Sequence, residues 1–160
     1  MSDAINQNWP RWIFASISQH FEDGKGDYPL YIEGQERDTK GEDIHLELRV
    51  DGPYVYHHSK GDFTLYFEVN VLIQAKKTGI NYHTLYDVIG QVVALFVNIK
   101  VYKYGDAVGD DDSLLGCMKL ISNREDRERI MVSHFGQLDP HVDVIQAGVE
   151  GHYDFSLQGA

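Results

Sequence analysis

The sequence predicts one α+β domain spanning residues 1–160, built on a largely antiparallel sheet of long strands that two main helices, about 9–22 and 81–97, cover on one face. Three observations carry this. In "GDFTLYFEVNVLIQAKK", residues 61–77, the odd positions Phe63, Leu65, Phe67, Val69, Val71 and Ile73 are apolar. The even positions are polar apart from Tyr66 and Leu72, and period two is the signature of a strand with one buried face. The same alternation returns near the C-terminus in "DVIQAGVEGHYDFSLQ", where Ile145, Ala147, Val149, Tyr153, Phe155 and Leu157 are apolar. Two other segments carry apolar residues at helical spacing. A strand from Phe63 to Ala75 would run roughly 40 Å at about 3.3 Å per residue, more than twice the usual length.

The elements follow in order. Asn8 has the chemistry of an N-cap and Pro10 is tolerated in a first turn. Trp9, Trp12, Ile13, Ile17 and Phe21 then mark an amphipathic helix up to the Gly-rich "EDGKGD". "PLYIEGQER" reads as a short strand and "EDIHLELRV" as a cleaner one, while "DGP" at 51–53 signals a turn or bend before "YVYHHSKGD" leads into the long ribbon. Asn81 can cap a second helix with Leu85, Val88, Ile89, Val92 and Phe96 on its apolar face, widened by Val93 and Leu95. "IKVYKY" is a strand and "GDAVGDDDS" a loop. "SLLGCMKLI" and "RIMVSHF" read as strands of a hairpin around the charged "SNREDRE", and the closing long strand has bend points at Gly148 or Gly151.

Composition narrows the function. With 25 acidic against 14 basic residues the net charge is −11, which opposes specific binding to a nucleic-acid backbone yet suits an acid-lined pore through which DNA slides. The single cysteine, Cys117, excludes an internal disulfide and a multi-cysteine metal site; its apolar surroundings predict a buried, inert thiol. No apolar run approaches the roughly 20 residues that span a bilayer, and the N-terminus lacks a basic-then-apolar leader, so the chain reads as cytoplasmic in origin, unprocessed and without a membrane partner.

The search for chemistry finds no catalytic constellation. His57 and His58 are neighbours on a strand and point apart, and the remaining histidines have no metal-ligand spacing. Ser133 and His134 also face apart, and no nucleophile elbow or phosphate loop occurs. The expectation is therefore no enzyme, no metal and no cofactor. Asp110, Asp111 and Asp112, in "GDDDS", lack the ligand pattern of a calcium loop. They fit either a solvated loop or one that faces an acidic lumen or docks on a basic partner. Tyr54, Tyr56 and Tyr66, with Tyr102 and Tyr104, fit sheet-face packing or subunit contact, because tyrosine supplies rigid, amphipathic contact area.

The order of helix "NWPRWIFASISQHF", strands leading to "FTLYFEVNVLIQA", helix "NYHTLYDVIGQVVALF" and closing strand "VIQAGVEGHYDFSL" resembles the tail terminator (tail completion) proteins of long-tailed bacteriophages over most of the chain. The resemblance implies a virion structural protein, forming a homo-oligomeric, hexameric ring that ends the tail tube. It also implies partners in the tail tube protein and the neck or head-completion protein, and DNA passing through without sequence-specific binding. The region "GEDIHLELRVDGPYVYHHSKGD" and the acidic loop depart from compact members. Another neck, head-completion or tube subunit fits the same pattern. Readings from other classes are a small-molecule-binding or hydrolytic α+β domain and an adaptor that joins a larger complex by its sheet edge.

Overall fold

The computed structural model describes residues 8–33, 43–57, 63–76, 82–103, 114–120, 130–137 and 144–157. In chain order these form α1 (Trp9–Gly24), β1 (Leu30–Ile32), β2 (Ile44–His57), β3 (Phe63–Lys76), α2 (Tyr82–Leu95), β4 (Lys100–Tyr102), β5 (Leu114–Cys117), β6 (Lys119–Leu120), β7 (Ile130–Gln137) and β8 (Val144–Leu157). The fold is α+β, as the sequence predicts, with a mixed, mostly antiparallel sheet in the order β1-β2-β3-β8-β6 and β7 also paired with β8. Among the described residues only the β1–β2 pair is parallel, and β4 and β5 form a separate two-stranded sheet. No described helix is long and apolar enough to cross a membrane.

The long ribbon is the centre of the sheet. β3 pairs antiparallel with β2 from Ala75↔Ile44 to Phe63↔His57, and with β8 along its whole length from Lys76↔Val144 to Phe63↔Leu157. Its backbone is therefore satisfied within the chain, and its length alone does not call for a neighbouring copy. Strict alternation puts Leu65, Phe67, Val69, Val71, Ile73 and Ala75 on one buried face. Onto that face fold Trp12, Ile13, Ile17 and Phe21 of α1 and Leu85, Val88, Ile89 and Val92 of α2, the helical positions read from the sequence.

Several joints hold the helices in place. Phe96, just past α2, meets Phe21 edge-on at 5.2 Å between ring centres and stacks with Tyr153 of β8 at 6.4 Å. The Tyr153 hydroxyl donates to the Phe96 carbonyl at 2.7 Å, satisfying a backbone acceptor at the end of the helix. Room for the Phe96 ring comes from Gly151: a Cβ there would lie 2.6 Å from Phe96 Cδ1. On α1, Ser16 Oγ donates to the Trp12 carbonyl at 2.7 Å and accepts from the Tyr102 amide at 2.9 Å, tying the helix to β4. His20 Nε2 lies 2.6 Å from the Leu95 carbonyl, joining the two helices.

The structure corrects four local expectations. "DGP" is not a turn between strands but a bulge inside β2, between Asp51 and Tyr54; its Gly52–Pro53 bond is cis. Gly52 has φ +111, and a Cβ there would come within 2.7 Å of the Tyr66 carbonyl, so an L side chain is excluded twice over. The segments on either side of "SNREDRE" do not pair with each other among the described residues: β6 and β7 lie end to end along the same edge of β8. β8 pairs with β3 through Gly148 and Gly151 without a register shift, and Gly151 gives clearance to the Phe96 ring. Cys117 is exposed, because its strand pairs with β4 at the periphery and not in the main sheet. Asn8 makes no side-chain cap; its carbonyl accepts the Trp12 amide at 3.0 Å. The expected cap Asn81 lies outside the described residues, as does the middle of the proposed hairpin.

Truncating Phe67, which is buried on the helix face, to alanine is expected to cost about 3–5 kcal/mol in denaturant unfolding, from lost transfer energy plus an unfilled cavity. A loss below about 1 kcal/mol would show that the helices do not cover this face. Burial pushes the Tyr153 phenol well above its ordinary value. The folded state then holds this proton while the unfolded chain releases it near pH 10, so the stabilisation is fully present below about pH 10 and declines as pH rises above it. Tyr153→Phe should make that decline shallower by up to about 1.4 kcal/mol per pH unit, read from urea midpoints between pH 8 and 11.

Candidate functional site: the helix-free face of the sheet

The even-numbered residues of β3 and their cross-strand partners form the face that the helices leave uncovered. Register lines them up in rows: Glu47–Leu72–Gly148–Ser133, then Arg49–Asn70–Glu150–Met131, then Asp51–Glu68–His152, then Tyr54–Tyr66–Asp154–Lys119. Carboxylates outnumber cations on it, with Glu47, Asp51, Glu68, Glu150 and Asp154 against Arg49 and Lys119. Asp51 and Glu68 stand directly opposite each other, an unfavourable like-charge pair. Arg49 lies 3.4 Å from Glu33 and 3.9 Å from Glu47, and Glu47 is itself buried. Desolvation raises the Asp154 carboxyl above its ordinary value, and the Lys119 ammonium beside it offsets part of the rise.

A side-chain chain runs across the middle of this face. His152 Nε2 lies 2.9 Å from Glu150 Oε1. A carboxylate only accepts, so Nε2 carries the proton in the neutral ring and Nδ1 accepts. Nδ1 contacts the Tyr66 hydroxyl and lies 4.0 Å from Glu68 Oε1, which is 3.4 Å from the same hydroxyl. The Tyr54 ring tilts against Tyr66 at 5.7 Å. Carboxylate, imidazole and hydroxyl thus stand in the order of a proton relay. The Glu68 and Asp154 carboxylates that flank Tyr66 would oppose negative charge developing there, so the arrangement suits a cation or a charged wall better than an oxyanion intermediate.

Two shallow depressions accompany the sheet. One, about 240 Å³, opens on this face where Gly148 leaves no side chain, between Arg49, Asp51, Asn70 and Leu72. The other, about 200 Å³, lies across α1 and β4 between Ser16, Gln19, His20, Asp23, Asn98 and Lys100. Among the described residues no group of three or more His, Cys, Asp or Glu side chains is placed to hold a metal ion.

The residues singled out in the sequence are distributed unevenly. Tyr54 is exposed and Tyr66 half-buried, side by side on the helix-free face. Tyr56 sits opposite Thr64 in the register, but its side chain lies outside the described set, as do Asp110, Asp111 and Asp112 altogether. Sequence reading placed Glu68, Glu150 and His152 on polar strand positions without bringing them together. What was missing was the β3–β8 register, for which the matched length of the two alternating segments is the available signal. No protein-family model matches the chain, and no curated protein matches it.

Tyr66→Phe and His152→Ala should be non-additive. A double-mutant cycle in urea should give a coupling of about 0.5–1 kcal/mol, modest because the pair is partly solvated. Additive losses would show that the hydroxyl and the ring do not interact in solution.

Proposed function

We propose that the chain is a structural subunit of a ring-shaped assembly of the phage tail terminator type, made in the host cytoplasm and incorporated into the virion. In this role it ends the tail tube, meets a neck or head-completion protein on the other side, and lets DNA pass without binding it. The observation that carries the reading is the two-sidedness of the sheet. One face is consumed by the core, and the other is an acidic wall three long strands wide. Like charge on such a wall keeps a phosphate backbone in motion, and at physiological salt it acts only within about 8 Å of the surface, so it belongs where DNA passes close by. The element order that resembles the tail terminators supports the same role, which needs no cofactor and no catalytic residue.

Negative-stain microscopy and native mass spectrometry of the purified protein, alone and mixed with tail tubes, test this directly. Closed rings that cap tube ends are expected; a monomer that ignores tubes at every concentration would contradict the reading. The wall has its own test. Asp51→Lys, Glu68→Lys and Glu150→Lys combined leave the chain net acidic. The triple variant should fold and assemble, yet retain duplex DNA on a filter at low salt and release it at high salt. Assembled rings of this variant that still fail to retain DNA would place the face away from the passage.

A further inference from the structure

We infer that the cleft between α1 and β4 is a binding site for a small, neutral, polyhydroxylated molecule of about the size of one sugar ring. It lies on the helix side of the sheet, away from the acidic wall, and is independent of the assembly role proposed above.

α1 packs on the sheet through Ile13, Ile17 and Phe21, but its flank toward β4 is polar. Ser16, Gln19, His20 and Asp23, at i, i+3, i+4 and i+7, share that flank of the helix. Facing them are Asn98, Lys100 and Tyr102, alternate residues along the chain into β4, while Ile99 and Val101 between them turn into the core. The space enclosed is about 200 Å³. That is below the roughly 300–1,000 Å³ of a drug-sized site and suits a single ring.

Two joints hold the walls apart. Ser16 Oγ accepts from the Tyr102 amide at 2.9 Å, and His20 Nε2 donates to the Leu95 carbonyl at 2.6 Å. These groups are engaged and form the frame. Gln19 Nε2 donates to Asp23 Oδ1 at 2.7 Å, which orients both side chains and leaves the Gln19 carbonyl oxygen and the second Asp23 oxygen as acceptors. Asn98 and Lys100 make no side-chain hydrogen bond or ion pair with another described residue. Asn98 also has φ +59, in the left-handed region that glycine adopts most readily, so an amide stands where the backbone alone would favour no side chain.

The chemistry of these open groups selects the ligand. With His20 neutral, the Lys100 ammonium and the Asp23 carboxylate balance, so the cleft has no net charge with which to hold an ion. Donors from Lys100 and Asn98 are available in one small space with acceptors from Asp23, Gln19 and Asn98. A hydroxyl both donates and accepts, and two hydroxyls on adjacent carbons match the oxygen and NH₂ of one amide. A polyol therefore satisfies every open group without bringing a charge of its own.

Cys117 supplies the readout. It is the chain's one cysteine, is exposed, and stands opposite Lys100 in the β4–β5 register, so the two share a face beside the cleft. D-glucose, D-galactose, D-mannose and myo-inositol are titrated in the millimolar range against the full chain. At least one should slow modification of Cys117 by an aromatic disulfide reagent and give a saturation-transfer NMR signal. Asp23→Ala and Lys100→Met should each weaken that binding about tenfold, the loss of one well-placed hydrogen-bonding group. Asn98→Gly should weaken it by a similar factor while the variant unfolds no earlier than the wild type, which a purely structural asparagine would not do. Failure of all four polyols to protect Cys117, or protection that persists unchanged in Asp23→Ala and Asn98→Gly, would overturn the site. Protection by glycine or L-glutamine but by none of the polyols would overturn the ligand class in favour of a zwitterion.

Discussion

The register between β3 and its two neighbours is the constraint on which the rest of the molecule depends. Because the side-chain period of a strand is two, a slip of one residue in β8 against β3 would carry Ala147, Val149, Tyr153 and Phe155 to the solvent side and bring Glu150, His152 and Asp154 under the helices. A slip of two keeps the faces but moves Val149 or Tyr153 into the place of Gly151. That place is filled by the Phe96 ring, which lies too close for any Cβ. Gly151 therefore fixes the register by shape, and the Tyr153 hydroxyl on the Phe96 carbonyl fixes it by a directed bond. The link from sequence to tertiary structure passes through this one small residue under one aromatic ring.

The same register creates the polar face. Glu68 and Tyr66 from β3 meet Glu150, His152 and Asp154 from β8 only because Asn70 lies opposite Glu150 and Tyr66 opposite Asp154. Core and acidic wall are thus two consequences of a single alignment. The helix side excludes water, and its energetics are those of close-packed apolar side chains. The open side holds like charges at cross-strand distance, relieved locally by Arg49, Lys119 and the His152 ring. A surface that keeps such repulsion in a stable sheet is consistent with selection for charge rather than for stability.

Much of the fold was legible in the sequence, and the reasons are local. The alternation of residues 63–75 and 145–157 and the 3.6-residue spacing in both helices each follow from a period that burial imposes on one element at a time. Pairings between distant segments were not legible. The "RIMVSHF" segment carries no mark that it joins β8 rather than "SLLGCMKLI", since a charged turn between two apolar runs is what a hairpin also shows. The sequence leaves "DGP" open between a turn and a bend, because the residues that favour a turn also favour a bulge, and only the continuation of the β3 partner separates them. Of the candidate site, Tyr54 and Tyr66 were found by residue type. The His152 chain was not, because its four members come from two strands some eighty residues apart.

Solution NMR of the isotope-labelled protein tests the register most directly. The account predicts nuclear Overhauser contacts from the Phe96 ring to the Hα protons of Gly151, together with contacts between the Tyr66 and His152 rings. Phe96 contacts to His152 or Glu150 in place of Gly151, or Tyr66 contacts to Tyr153 in place of His152, would contradict it.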